Sequence, residues 1–338
     1  MIRVGVIGYG YWGPNLVRNF SESAECEVAV VADLREERLA QVRRRYPAIR
    51  TTTSIDDVYA ATDVDAVVIA TPVSTHYALA SRAFKAGKHV WVEKPMTATA
   101  DEGRRLVDEA AAAGRVLHVD HTFVYTGAVR KIHDLIHGDG IGDIYYYDST
   151  RVNLGLFQHD VNVIWDLAVH DLSIMDYLLP SYARAVSATG MAHVGGGHED
   201  IAYLTFFFDG SLIGHVNVNW LAPVKIRRTL IGGSRKMIVY DDLEPSEKIK
   251  IYDKGITVNA DAASVYQLKI GYRSGDMWAP QVEIGEALQV EVSHFAACIT
   301  RGEPSVTDGR AGLRMVQALE AASMSMRDRG RVIELGSV

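Results

Sequence analysis

At 338 residues the chain exceeds what one ordinary hydrophobic core organises, so two domains are expected. A composition of 48% hydrophobic and 23% charged residues is that of a globular protein, and a net charge of -7 excludes a general nucleic-acid surface, which needs a basic stripe. The two cysteines, Cys26 and Cys298, lie outside any C-x-x-C pattern, which excludes a disulfide scaffold or a cysteine zinc site, and with no apolar run of membrane-spanning length they fit a cytoplasmic protein.

In chain order, residues 1–120 alternate short apolar runs with helical patterns. Strands are predicted at Arg3–Ile7, Val28–Ala32, Ala66–Ala70, His89–Glu93 and Val116–Val119. Helices are predicted at Pro14–Phe20, Arg35–Tyr46, Thr75–Ala86 and Ala100–Ala113, with Pro14 suited to a first turn and Gly87 and Gly114 to helix ends. Buried runs alternating with helices imply a parallel sheet with right-handed crossovers.

The texture changes over residues 121–338. A helix near Ala128–His137, a strand at Ile144–Val152 and a helix around Trp165–Leu179 come first. From Ala183 to Tyr252, strand-like stretches are split by turn signals at Gly195-Gly196-Gly197, Asp209-Gly210 and Gly232-Gly233. Asp209-Gly210 between two apolar alternating runs predicts a hairpin. The expectation is a large, mostly antiparallel sheet in an α+β domain. Asp253–Pro280 shows no period and receives no assignment. Helices near Val282–Thr300 and Arg310–Arg327 and a short strand, Arg331–Leu335, close the chain.

Gly8-Tyr9-Gly10-Tyr11-Trp12-Gly13 matches G-x-G-x-x-G between a strand and a helix. In that context the first glycine permits the turn, the second lets backbone N–H groups approach a pyrophosphate, and the third allows close helix–strand packing. Asp33 ends the second strand about twenty residues later, where an acid is expected on the adenosine ribose hydroxyls. Its carboxylate repels a 2′-phosphate and favours NAD, while Arg35 and Arg38 can offset that repulsion and leave NADP open. Thr71, Pro72 and His76 lie where the third main strand opens onto the same rim, although a capping turn explains their neighbourhood equally well.

The next strand runs into Glu93-Lys94-Pro95, a segment in which the X–Pro bond is a candidate for cis. A lysine held beside a cationic nicotinamide suits proton transfer; on position alone, an ordinary surface lysine reads equally well. Asp166 and His170 stand four apart on a predicted helix, with Ser173 on the same face. A carboxylate one turn from an imidazole orients it, and by itself that spacing also fits a structural pair.

Taken in this order and spacing, Gly8–Gly13, Asp33, the Ala70-Thr71-Pro72 turn, Glu93-Lys94-Pro95 and Asp166-x-x-x-His170 resemble the glucose–fructose oxidoreductase/inositol dehydrogenase (Gfo/Idh/MocA) family over essentially the whole chain. The resemblance implies a Rossmann domain before an α+β domain with an open-faced sheet. It also implies oxidation or reduction of a secondary alcohol of a sugar or cyclitol, with Lys94, Asp166 and His170 as the catalytic set. Implied cofactor contacts are Gly8, Gly10, Tyr11, Trp12, Gly13, Asp33, Arg38, Thr71, Pro72, His76, Glu93 and Lys94. Lys94, Tyr125, Arg151, Asn153, Asp166 and His170 are implied around the substrate. No metal is called for, because the nicotinamide takes the hydride and a protein base the proton.

Arg151–Gln158, Asn162–Asp166 and Tyr11–Asn15 resemble the branch acting on nucleotide-activated sugars, whose members oxidise the C3 hydroxyl of an NDP-hexose. Lys225, Arg227 and Arg228 are candidates for its pyrophosphate. An inositol or free-sugar dehydrogenase, an NAD(P)H-dependent keto-sugar reductase, an NAD-dependent glycoside hydrolase and a non-catalytic sensor are the alternative readings. An open-faced sheet needs a cover, so a homodimer or homotetramer is expected.

Overall fold

The computed structural model describes residues 1–138, 140–155, 161–194, 197–259 and 269–336. Contacts divide the chain into two units, Met1–Tyr125 with Gly285–Glu320, and Thr126–Ile284 with the segment from Ala321 onward. The division lies close to the expected boundary at 120/121 but also gives residues 285–320 to the first unit. The reason is packing, since that segment completes a core which the N-terminal stretch does not fill.

In the first unit, β1 (Ile2–Ile7), β2 (Cys26–Ala32), β3 (Arg50–Thr52), β4 (Ala66–Ile69), β5 (His89–Glu93) and β6 (Leu117–Asp120) form one parallel sheet in the order β3-β2-β1-β4-β5-β6. The crossovers are α1 (Gly13–Glu22), α2 (Glu36–Arg45), α3 (Ile55–Ala60), α4 (His76–Lys85) and α5 (Ala100–Ala113). β4 is buried at every residue, as a strand covered on both faces must be. Thr99 caps α5 by accepting the Glu102 N–H, and Gly114 closes that helix in the left-handed region at φ 61°. The short β3 and α3 carry too few residues for a period to register. Phe20, Trp91 and Phe295 pack edge to face with ring centroids 5.2 to 6.3 Å apart. Phe295 comes from α8 (Ala287–Arg301), whose Leu288 and Val292 join the same core.

The second unit holds α6 (Gly127–His137), β7 (Ile144–Leu154), α7 (Val169–Leu178), β8 (Ala185–Met191), β9 (Ile201–Phe207), β10 (Ile213–Asn219), β11 (Leu221–Gly233), β12 (Met237–Asp241), β13 (Ile249–Asn259), β14 (Lys269–Trp278) and β15 (Ile333–Glu334). Helix α9 (Gly309–Arg327) contains the division between the units. The nine strands order β14-β13-β12-β11-β7-β10-β9-β8-β15, and every pairing is antiparallel except β10 with β7. The hairpin at Asp209-Gly210 joins β9 to β10, with Gly210 at φ 80°. Most of β13 and all of β14 occupy the stretch without a sequence assignment. Consecutive Met277 and Trp278 are both exposed, so burial imposed no alternation at that end of β14. Gly195-Gly196, within the first turn signal, lies outside the described residues.

Candidate functional site

The glycine loop follows β1 at the carboxyl edge of the first sheet. Gly8 sits at φ 98°, and a Cβ there would lie 2.3 Å from the Ala70 carbonyl oxygen; at Gly13 it would lie 2.5 Å from the Gly8 oxygen. Both positions are therefore closed to side chains by backbone. Gly10 differs, its nearest neighbour being the Arg35 Nη2 at 3.8 Å, which leaves open space beside the loop. That combination fits a bound pyrophosphate. Pro14 opens α1 as expected, Tyr9 is buried at 2% exposure, and Tyr11 is exposed at 87%.

Asp33 accepts the Tyr9 backbone N–H at 2.7 Å and the Arg35 backbone N–H at 2.9 Å, with the Arg35 Nε at 3.2 Å. Burial opposes its charge, but the Arg35 side chain and these N–H groups prevail and hold the carboxyl below its usual range. Two oxygens with about four acceptor sites keep capacity for ribose hydroxyls. Arg35 is thus the guanidinium on Asp33. Arg38 stands half-buried in the first turn of α2, its backbone N–H on the Arg35 oxygen.

His76 is buried at 1% exposure, with Nε2 2.8 Å from the Thr71 oxygen and Nδ1 2.9 Å from the Pro95 oxygen. It ties the Thr71-Pro72 turn to the Lys94-Pro95 turn, and Thr71 Oγ1 is 2.7 Å from Thr75 Oγ1. A neutral ring donates to only one of the two carbonyls, whereas a cation satisfies both; burial nevertheless lowers its pKa, so desolvation dominates. The Lys94–Pro95 peptide is cis, and Lys94 is half-buried just past the end of β5.

A cluster of which the sequence singled out only Glu93 lies beneath that edge. Glu93 on β5 and Asp120 on β6 are register partners, and Glu291 of α8 reaches the same place. Burial, then the Asp120 carboxylate, push Glu93 well above the usual carboxyl range, and Glu291 is raised in the same way. His118 Nε2 is 3.1 Å from Glu291 Oε1, and burial lowers His118 while it raises Glu291, disfavouring the charge on both partners. Asp120 follows directly on the predicted strand Val116–Val119, and that position, level with Glu93 on β5, is the signal that could have found it. Glu291, far along the chain, carried no such signal. Tyr125 is buried at 5% exposure with its hydroxyl 3.0 Å from Thr307 Oγ1.

In the second unit, Asp166 lies in a π-helical turn, Ile164–Ala168, that leads into α7. The Val169 N–H donates to the Ile164 oxygen five residues back, so Asp166 and His170 do not share the simple α-helical stripe that the spacing predicts. The Trp220 indole N–H donates to Asp166 Oδ2 at 3.1 Å, and Ser173 Oγ donates to the His170 oxygen at 2.8 Å. Arg151 is buried at 4% exposure and its Nε donates to Asp171, which also accepts from Ser149 Oγ. Asp171, outside the predicted set, thus anchors α7 to β7. Asn153 is half-buried near the end of β7, and Leu156–Gln158 lie outside the described residues. Arg227 and Arg228 are consecutive on β11 and face opposite sides of the sheet, and Arg227 pairs with Asp242 at 3.1 Å.

Comparison with known proteins agrees with this architecture. The family profile described as an oxidoreductase family with an NAD-binding Rossmann fold matches residues 2–121, and the GFO/IDH/MocA C-terminal domain matches residues 129–239. The UDP-N-acetylglucosamine 3-dehydrogenase of Acidithiobacillus ferrooxidans is 28% identical over 323 residues, covering 94% of this chain and 95% of that protein. A solved structure of that enzyme superposes with a TM-score of 0.80 at 27% identity, over 96% of this chain and 99% of that one. The scyllo-inositol 2-dehydrogenase (NAD(+)) of Bacillus subtilis is 24% identical, covering 97% of this chain and 94% of that protein. With both domain profiles matched in order and the glycine loop, Asp33 and Lys94 at one sheet edge, this chain belongs to the Gfo/Idh/MocA family of NAD-binding oxidoreductases.

Proposed function

We propose that the chain oxidises a secondary hydroxyl, at C3, of a nucleotide-activated sugar to the keto sugar. The observation that carries the dehydrogenase reading is Lys94 at the end of β5, on the sheet edge that also presents the open space at Gly10 and the acceptor Asp33. Likeness to a UDP-N-acetylglucosamine 3-dehydrogenase supports the substrate class, and likeness to an inositol dehydrogenase makes cyclitols the competing class. Bound NAD supplies the hydride acceptor. In this proposal His170, assisted by Asp166, takes the hydroxyl proton, and Lys94 hydrogen-bonds the developing alkoxide; exchanging the roles of Lys94 and His170 satisfies the same proton balance.

Exposed apolar side chains support a homodimer or homotetramer closed through the outer face of the second sheet. Tyr203, Phe207, Ile213 and Ile226 are 49%, 36%, 43% and 37% exposed on that one face. Sedimentation of a single-chain mass would overturn this assignment.

The deciding experiment follows NADH absorbance over a panel of NDP-sugars, free sugars and inositols. Turnover confined to NDP-sugars is the expected result, and turnover confined to inositols overturns the substrate class. Lys94→Ala should leave NAD affinity within about twofold and reduce turnover by about a hundredfold or more. Near-normal turnover in that variant would defeat the role of Lys94.

A further inference from the structure

We propose that Asp120 is a positioning residue that fixes the glycine loop, through Trp12, to the strand edge carrying Lys94. The inference rests on the NAD-binding unit and not on the identity of the sugar.

Trp12 occupies the last variable position of the loop and serves as the N-cap residue of α1, where no side-chain hydrogen bond caps the helix. Its indole Nε1 donates instead to Asp120 Oδ2 at 3.1 Å, across 108 positions of sequence. Asp120 is itself 2% exposed and also accepts from Thr122 Oγ1. Its register partner on β5 is Glu93, the residue before Lys94, and Glu291 of α8 lies close enough for the Asp120 charge to raise its carboxyl. One carboxylate therefore connects the loop, the end of β6 and the residue before Lys94. Leaving the part-buried indole N–H without this acceptor carries a cost, so the bond orients the loop.

The test is a double-substitution cycle on NAD binding, measured by calorimetry with NAD alone. Asp120→Ala and Trp12→Phe should each weaken NAD by about tenfold, and the double variant should be no weaker than either. Asp120→Asn keeps an oxygen acceptor for the indole and should restore affinity to within about threefold of wild type. With a sugar substrate in hand, Trp12→Phe should raise KM for NAD more than it lowers kcat, since Lys94 is untouched. Additive losses in the double variant, or a folded Asp120→Ala protein with wild-type affinity, overturn the proposal. If Asp120→Ala does not fold, the Asp120→Asn and Trp12→Phe proteins decide: wild-type affinity in the latter, or a loss in the former as large as that caused by Trp12→Phe, overturns it equally. None of these outcomes depends on which sugar is oxidised.

Discussion

Arg151 on β7 and Asp171 on α7 form an ion pair in which only 4% and 5% of the side chains remain exposed. It anchors to the sheet the helix that carries His170. A pair buried this deeply is expensive to break, because one removed partner leaves the other charged in a dry site. Arg151→Ala or Asp171→Ala should lower unfolding free energy by about 3–5 kcal/mol, measured by urea denaturation. Substitution of both by apolar residues should recover much of the loss. A cost below about 1 kcal/mol for each single variant would show that the pair is not buried in solution.

The glycines of the loop divide into two physical classes. Gly13→Ala places a Cβ 2.5 Å from the Gly8 oxygen, so the helix must shift, and thermal stability should fall by several degrees. Gly10→Ala meets only Arg35 Nη2 at 3.8 Å and should melt within about two degrees of wild type. Its methyl group instead fills the space through which a pyrophosphate approaches, weakening NAD by about tenfold or more. A Gly10→Ala protein that binds NAD normally would place the phosphates elsewhere.

Asp33→Ala removes the acceptor on which Tyr9 and Arg35 converge and frees the Arg35 guanidinium for a phosphate. NAD affinity should drop by about tenfold, and the NADP to NAD preference should rise by at least as much. Paired titrations with the two dinucleotides check this. An unchanged ratio would remove Asp33 from cofactor selection.

Glu93 carries a pH signature of determined sign. Burial and Asp120 raise its carboxyl well above the ordinary 4.5, so between that value and the folded-state value the folded chain binds the extra proton. Its contribution is fully present below about pH 4.5 and is lost as pH rises toward the folded-state value. Glu93→Gln, isosteric and permanently neutral, should be close to wild type in stability at pH 5 and more stable at pH 8. Urea midpoints at the two pH values test it, and parallel curves would mean that Glu93 is already ionised.

Local periodicity and turn chemistry wrote much of the fold into the sequence. β1, the glycine loop and Pro14 at the start of α1 could be placed because each rests on residues adjacent in the chain. The Asp209-Gly210 hairpin was legible for the same reason. The end of β14 was not, since its consecutive Met277 and Trp278 are both exposed and show no burial alternation. The site shows the same split. Gly8, Gly10, Gly13, Asp33 and Lys94 sit at strand ends, where sequence position alone fixes which edge a residue faces. Asp120 beneath Trp12, Glu291 beside His118, Arg151 turned onto Asp171 and the π-turn at Asp166 were decided by packing. A buried carboxyl or guanidinium takes whatever partner the fold brings within reach, and only the tertiary structure determines which partner that is.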